Sequence, residues 1–325
     1  MPIADLHLDL AWNVVQGRDL THSPKEQPDI GFGPASVSFE TLAVGGTELI
    51  GATLFADPDA SETASEQCHR QLDAYAGMSL RVVRDASDLD GEGLRAVLLM
   101  EGADAIDVDD PDDARRWFDA GVRIVGLAWG QTRYAGGTRS PGPLTPDGRR
   151  LVPVLDELGM IHDASHLADD SLAEMLDLAN GPLFASHSNC RSLVGEDPTG
   201  RHLPDRHIEG ILRRGGIVGI NLFDKFLLPP AELERRRATL TDWTNHVRHV
   251  CDLAGDANHV ALGSDADGGF GKLRLPIELE TVADYPKLGT ALSDAGFSDA
   301  DVTNILWHNA AGFLRKSLPG DASSD

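Results

Sequence analysis

The sequence predicts an α/β protein built as a closed (β/α)8 barrel, also called a TIM barrel. Eight short apolar runs of strand character recur along the 325 residues, and most of them are separated by a helical or turn-rich segment. Strands and helices that alternate eight times are typical of a barrel of parallel strands. A doubly wound open sheet is the alternative, but no Gly-x-Gly-x-x-Gly motif follows an early strand.

The predicted strands are short and apolar, as expected for strands that are covered on both faces. They span residues 3–8, 48–55, 94–100, 122–128, 160–163, 182–186, 216–221 and 259–263. In the first strand, polar residues alternate with leucines from Asp5 to Leu10. This period of two predicts that Asp5, His7 and Asp9 lie on one face and the leucines on the other.

The segments between the strands have the end signals of helices. The predicted helices span residues 62–83, 112–120, 147–158, 169–179, 204–214 and 231–253. Several begin with acidic residues, which the helix dipole favours in a first turn. The helix at 204–214 begins with a proline and ends in two arginines before Gly215 and Gly216, which is a good stop signal.

Two segments rich in glycine and proline interrupt the alternation. Residues 20–33 and 131–148 are predicted to be long loops at the barrel mouth, where such loops usually act as lids or bind ligands. No internal repeat or low-complexity run is present, so residues 1–316 are expected to form one domain. Residues 317–325 are small and polar and are predicted to be a flexible tail.

Composition limits the partners of the chain. With 52 acidic and 28 basic side chains the formal net charge is −24, which argues against nucleic acid or an anionic membrane surface as a partner. The three cysteines have no paired spacing, which fits a reducing compartment. No run approaches the roughly 20 apolar residues of a membrane span, and the first residues do not resemble a secretory signal. We therefore expect a cytoplasmic protein that acts on small molecules.

Polar residues follow five of the predicted strands at their carboxyl ends. They are His7 and Asp9 after the first strand, Glu101 after the third, His166 after the fifth, His187 after the sixth and Asp265 after the eighth. In a barrel these strand ends meet at one mouth, so residues far apart in sequence would share one site. The His-x-Asp pair alone is a weak signal, because a surface strand with two solvated polar residues would look the same.

The residue types at these strand ends suit divalent metal ions. Imidazole and carboxylate ligands without thiolates favour Zn²⁺, with Mn²⁺, Co²⁺ or Fe²⁺ as alternatives. Five candidate ligands exceed the need of one catalytic zinc, and a carboxylate can bridge two ions that lower the pKa of a shared water to about 7. Asp265 is the candidate acid–base group, with an orienting role as the alternative. Asp267 is expected to hydrogen-bond a loop.

These motifs resemble those of the membrane (renal) dipeptidase family of zinc peptidases, within the amidohydrolase superfamily. The resemblance covers residues 5–314 and rests on six motifs in this order. They are DLHLDL at 5–10, MEG at 100–102, DASH at 163–166, SHS at 186–188, RHLPD at 201–205 and GSDADG at 263–268.

The resemblance implies a barrel of the metal-dependent hydrolase type that cleaves the amide bond of dipeptides. It further implies a homodimer and a hydroxide that bridges two divalent ions, with Zn²⁺ as the expected metal. The matched residues and implied roles are His7 and Asp9 for the first metal, Glu101 as the bridge, His166 and His187 for the second metal, Asp265 as the catalytic aspartate, and Arg201 for the substrate carboxylate.

One position departs from the family pattern. After the fourth strand, family members commonly carry a histidine that contacts the substrate and polarises the scissile carbonyl, and Trp129 stands there in this sequence. Indole donates one hydrogen bond and cannot become charged. Arg133, Tyr134 and Arg139 are the candidates to replace that donor. Because of Trp129, the hydrolysis of N-acyl amino acids, other amides or lactones is an alternative function. A barrel that binds metal without catalysis is a third hypothesis.

Overall fold

Eight parallel strands form a barrel in the computed structural model, which describes residues 1–320. The strands of the chain are β1 (Ile3–Leu8), β2 (Thr47–Phe55), β3 (Arg81–Val82), β4 (Arg95–Glu101), β5 (Val122–Gly126), β6 (Ala135–Gly137), β7 (Ser140–Leu144), β8 (Ile161–Asp163), β9 (Leu183–Phe184), β10 (Val218–Ile220) and β11 (Val260–Leu262). The barrel path runs β10-β11-β1-β2-β4-β5-β8-β9. A parallel bridge between Ala185 and Val218 connects its two ends. The predicted (β/α)8 barrel is confirmed.

Helices separate most of the barrel strands and cover the outside of the barrel. They are α1 (Leu10–Val15), α2 (Phe39–Gly45), α3 (Ala64–Ala76), α4 (Asp113–Ala120), α5 (Pro146–Leu158), α6 (Asp169–Leu178), α7 (Arg191–Val194), α8 (Asp205–Arg213), α9 (Asp224–Leu227), α10 (Pro230–Leu233), α11 (Leu240–Ala254), α12 (Pro286–Asp294), α13 (Asp299–Thr303) and α14 (Asn309–Ser317). Within residues 1–320 no helix is both long enough and apolar enough to cross a membrane.

Two predicted helices are shorter than expected. The helix predicted at 62–83 ends at Ala76, and Arg81–Val82 instead pairs with the start of β4. The helix predicted at 231–253 is divided into α10 and α11, because Thr239 and Asp242 form a capping box that begins a new helix. Local capping therefore overrides a continuous helical pattern at this point.

The segment at 131–148 is not the long loop that the sequence predicts. It contains the antiparallel hairpin of β6 and β7 and the first turn of α5. The Ser171 hydroxyl of α6 donates to the carbonyl of Gly142, which fastens the hairpin to this helix. Residues 20–33, by contrast, contain no helix or strand.

Apolar side chains fill the interior of the barrel below the mouth. Leu6, Leu99, Ile124 and Phe184 belong to one buried cluster, and the ring of Phe313 from α14 packs 5.1 Å from the ring of Phe184. Inward-facing layers of this kind make a barrel a packed core and not a pore.

The prediction of a flexible tail at 317–325 is wrong for its first residues. Ser317 ends α14, and Leu318 is buried in the same cluster as Phe313. An apolar side chain that packs on the barrel holds this segment in place. Residues 321–325 lie outside the described residues.

Candidate metal centre

The six polar residues predicted from the strand ends meet at one mouth of the barrel. Glu101 ends β4, and its Oε1 atom lies 3.6 Å from His7 Nε2, 3.1 Å from His166 Nε2 and 3.4 Å from His187 Nε2. These side chains are all buried. The structure therefore brings together residues that lie up to 258 positions apart in the sequence, the separation of His7 and Asp265.

Two overlapping groups have ligand atoms within 4.8 Å of one another. One contains His7, Glu101 and His187, and the other contains His7, Asp9 and Asp265. His166 completes the first group, because its Nε2 lies 3.0 Å from Nε2 of His187. Such a pair of adjoining groups has the residue types and spacing for two divalent cations.

A bulge in β1 turns His7 toward the mouth. The pairing of β1 with β2 shifts register between Asp5 and Leu8. Asp5 consequently faces away from the centre and accepts hydrogen bonds of 2.8 Å from Ser264 N and from the Tyr285 hydroxyl. The predicted common face of Asp5, His7 and Asp9 is therefore wrong at Asp5, since one extra residue in a strand reverses the direction of the side chains beyond it.

The hydroxyl of Ser186 fixes the orientation of one imidazole. It donates to Asp163 Oδ2 at 2.5 Å and lies 2.7 Å from His187 Nδ1. Because the serine hydroxyl already donates its hydrogen to the carboxylate, the serine oxygen accepts a hydrogen bond from Nδ1–H of His187. Nε2 of His187 then keeps its lone pair and points at Glu101, which is the tautomer that a metal ligand requires. Thr138 Oγ1 lies 2.9 Å from His166 Nδ1.

Two residues of the centre have left-handed backbone conformations. The φ angle is 67° at His166 and 59° at Asp265. Each such non-glycine residue costs on the order of 1–3 kcal/mol, and conformations of this kind persist where surrounding contacts impose them. At Asp265 those contacts include a 2.9 Å hydrogen bond from the Asn221 side chain to Oδ2. These backbone conformations direct both side chains into the mouth of the barrel.

Negative charge is concentrated in this buried space. Burial disfavours the charged form of His7, but Glu101, Asp9 and Asp265 outweigh burial and raise its pKa to about 10. Burial raises the pKa of Asp9 to about 6 although His7 opposes it. Burial, together with the charges of Asp9 and Glu101, raises the pKa of Asp265 well above its usual range. Burial, His7 and Arg201 lower the pKa of His187 well below its usual range.

The residues of the centre fit divalent cations. His7 Nε2 is fully buried and has no hydrogen-bond partner in the described part of the chain. The Nε2 atoms of His166 and His187 face each other at 3.0 Å beside a carboxylate, an arrangement that a cation between them would stabilise. Buried carboxylates with raised pKa values would likewise gain a counter-charge.

Arg201 lies beside the centre and is paired with no carboxylate of residues 1–320. It is 3% exposed, donates to Ser188 Oγ at 3.0 Å and to the carbonyl of His187, and its Nε atom has no partner within residues 1–320. Its guanidinium carbon lies 5.2 Å from the ring centre of Phe226. A buried guanidinium with unused donor capacity is suited to binding an anion.

A cavity of about 600 Å³ opens above the centre. Trp129 lines it, with its ring centre 5.8 Å from that of His166. Of the three candidates to replace the missing donor, only Arg139 lines this cavity. Arg133 is held by carboxylates on the surface, and the Tyr134 hydroxyl donates to the carbonyl of Ile106.

The segment around residues 20–33 is fixed to the mouth by Asp267. This carboxylate accepts hydrogen bonds from Ser36 N, Ser36 Oγ and Val37 N, and it lies 3.1 Å from Arg18 Nη1. Asp267 thus has the loop-holding contacts that the sequence predicts.

Several supporting residues escaped prediction from the sequence. Ser186 and Asp163 stand in the motifs at 186–188 and 163–166 but carried no assigned role. Asn221 follows β10 at a strand end, the same signal that identified the other site residues. Thr138 gives no comparable signal, because it comes into contact with His166 only through the β6–β7 hairpin.

Comparison with known proteins identifies relatives over most of the chain. The model of the membrane dipeptidase family (peptidase family M19) matches residues 1–317. An uncharacterized protein in the pqqA 5′ region of Klebsiella pneumoniae is 32% identical over 74% of this chain and 90% of that protein. An uncharacterized dipeptidase of Schizosaccharomyces pombe is 29% identical over 76% of this chain but only 61% of its own length.

Solved structures share the fold. A metallopeptidase of Rhodobacter sphaeroides, liganded with a phosphinate mimic of the dipeptide L-Ala-D-Ala, superposes with a TM-score of 0.83 at 24% identity, covering 98% of this chain and 99% of that one. The probable dipeptidase PvdM of Pseudomonas aeruginosa gives a TM-score of 0.80 at 19% identity, with 98% and 96% coverage. With the family match over residues 1–317, the chain belongs to the membrane dipeptidase family, peptidase family M19.

Proposed function

We propose that this protein is a dipeptidase that hydrolyses the amide bond with the help of two divalent metal ions, of which Zn²⁺ is the expected species. The observation that carries the proposal is the convergence of three imidazoles on the single carboxylate oxygen Glu101 Oε1, within 3.6 Å of each. Membership of the M19 family supports it. So does the dipeptide mimic bound by the similar Rhodobacter sphaeroides metallopeptidase.

Five residues would hold the ions. They are His7, Asp9, Glu101, His166 and His187, with Glu101 shared between the two ions. Bound there, the pair of ions would supply a hydroxide nucleophile at neutral pH and polarise the scissile carbonyl. Ser186 keeps the imidazole of His187 in the ligating tautomer, and Thr138 Oγ1 is within hydrogen-bond distance of His166 Nδ1.

Asp265 would move the proton. Its Oδ2 atom accepts from Asn221, so Oδ1 remains available to take the proton of the attacking water. Burial raises the pKa of this carboxyl, which lets it hold a proton until the leaving amine nitrogen accepts it.

Arg201 would bind the terminal carboxylate of the substrate. Its guanidinium is buried, lines the cavity and has no carboxylate partner in the described residues. An anion that docks there gains a charge-assisted hydrogen bond. This contact would restrict the enzyme to short substrates with a free carboxylate near the scissile bond.

Replacing His187 with alanine tests the proposal. We expect the bound metal and the hydrolysis of dipeptides to be lost together, since this imidazole contacts Glu101 and His166. Elemental analysis and a dipeptide assay measure the two quantities. The exposed His308 provides the matched control, and His308→Ala should retain both. A His187→Ala protein with full metal content and turnover would contradict the assignment.

Trp129 supports a second candidate function, the hydrolysis of an N-acyl amino acid or another non-peptide amide or lactone. The indole lies beside His166 in the cavity, where it offers an apolar surface and a single donor. An N-acyl amino acid would keep the carboxylate for Arg201 and lack the free amine of a dipeptide. A panel of dipeptides and N-acyl amino acids separates the two, and failure to hydrolyse any dipeptide would favour this second candidate.

A further inference from the structure

The structure assigns a side-chain preference to the cavity above the metal centre. We infer that it selects substrates in which the residue that carries the terminal carboxylate has an aromatic side chain. This inference rests on the proposed function, because it takes Arg201 as the anchor for that carboxylate.

The aromatic residues of the chain are concentrated around this cavity. Only 6% of the residues are Phe, Trp or Tyr, yet five of the ten phenylalanines and two of the five tryptophans line it. They are Trp12, Phe32, Phe55, Trp129, Phe223, Phe226 and Phe270. A chain with so few aromatic residues would not gather seven of them at a polar mouth by composition alone.

Three of these residues form a continuous aromatic wall, defined as Phe223, Phe226 and Phe270. The rings of Phe223 and Phe270 stack with centres 4.4 Å apart, and Phe226 meets Phe223 edge to face at 4.9 Å. Phe223 and Phe226 are only half-buried, so parts of their rings remain open to the cavity. Aromatic rings in these geometries attract a further ring by about 0.5–1.5 kcal/mol beyond the burial of area.

The position of the wall indicates which part of a substrate it contacts. The guanidinium carbon of Arg201 lies 5.2 Å from the ring centre of Phe226. A carboxylate on Arg201 therefore brings the adjoining α-carbon and its side chain close to the wall. The other side of the centre differs, because Trp129 and Phe55 share it with the carboxylates of Asp57 and Asp59.

The size of the cavity agrees with a bulky substrate. At about 600 Å³ it falls within the range of about 300–1,000 Å³ that is common for sites of drug-sized ligands. A dipeptide of two alanines would leave much of the aromatic surface in contact with water. An aromatic side chain at the carboxyl-terminal residue would cover that surface.

Three dipeptides test the inference on the zinc-loaded enzyme: Ala-Ala, Ala-Phe and Phe-Ala. We expect kcat/KM for Ala-Phe to exceed that for Ala-Ala by about tenfold to a hundredfold, the effect of burying one phenyl group. Phe-Ala should gain less, because its ring would lie away from the wall. Phe223→Ala and Phe270→Ala should each lower the ratio of Ala-Phe to Ala-Ala. Phe297→Ala is the matched control, since Phe297 packs on Arg248 and does not line the cavity.

The outcomes separate this inference from the proposed function. Equal kcat/KM values for Ala-Phe and Ala-Ala, or a greater gain for Phe-Ala, would overturn the inference and leave dipeptide hydrolysis intact. An unchanged ratio in both wall variants would also overturn it. Should either variant fail to fold, the three substrates on the unaltered enzyme still decide the question. Hydrolysis of none of the three would overturn the proposed function and this inference together.

Discussion

Replacing Gly268 with alanine is expected to disable the site through a single methyl group. A Cβ atom at this position would lie 1.8 Å from Asp265 Oδ1 and 2.7 Å from Asp9 Oδ2. The glycine has no left-handed backbone angle, so the effect is steric and not conformational. The Asp265 carboxylate must move by about 1 Å to reach a contact of 3.0 Å, which real Cβ atoms tolerate. Its hydrogen bond from Asn221 resists that movement.

A displacement of about 1 Å at a reacting group costs on the order of 10²-fold in rate. We therefore expect kcat/KM on Ala-Ala to fall about a hundredfold in Gly268→Ala, with a lower content of bound zinc because Asp9 is displaced as well. Steady-state kinetics, elemental analysis and a thermal melt measure the three quantities.

Gly312→Ala is the matched control. Gly312 lies in α14, and a Cβ atom there meets no atom of the described residues within 4 Å. Alanine is favoured over glycine inside a helix by roughly 0.5–1 kcal/mol, so this variant should be fully active and slightly more stable. A Gly268→Ala enzyme with unaltered kcat/KM and two zinc ions per chain would refute the roles given to Asp265 and Asp9.

Ser186→Ala removes the hydroxyl beside His187 Nδ1, and we expect the affinity for Zn²⁺ to fall about 10- to 100-fold. Calorimetric titration of the metal-free protein measures it, and an unaltered affinity would contradict the assigned tautomer. Burial lowers the pKa of His246 to about 3, whereas its ordinary value is 6.5. Between these values only the unfolded chain takes up the proton, so stability should fall as the pH drops from about 6.5, by at most about 1.4 kcal/mol per pH unit from this residue. Urea unfolding at pH 7 and pH 5 checks the direction, and His246→Asn should show a smaller difference between the two.

The barrel and the convergence of its polar residues could be predicted from the sequence for one physical reason. Parallel strands buried on both faces are apolar, so a histidine or carboxylate at a strand end stands out from its surroundings. Glu101 after β4 and His187 after β9 are examples, and both lie where the pattern predicts. Asn221 carries the same signal after β10.

Features that depend on pairing between segments could not be predicted in this way. The bulge that turns Asp5 outward is set by the register between β1 and β2, and that register has no signature in the alternating residues themselves. The β6–β7 hairpin resembles a loop in the sequence because glycine and proline dominate it. The sequence around Leu318 indicates a polar tail, because the burial of this residue depends on its contact with the barrel.

The contacts of Asp267 also determine how a ligand reaches the centre. Ser36 and Val37 are hydrogen-bonded to this carboxylate, and the buried Arg18 is paired with it. This segment could detach only by breaking the buried ion pair together with the hydrogen bonds to Ser36 and Val37. We therefore expect the mouth of the barrel to stay open. The dimensions of its rim, and not the frequency of an opening motion, would then govern which molecules enter.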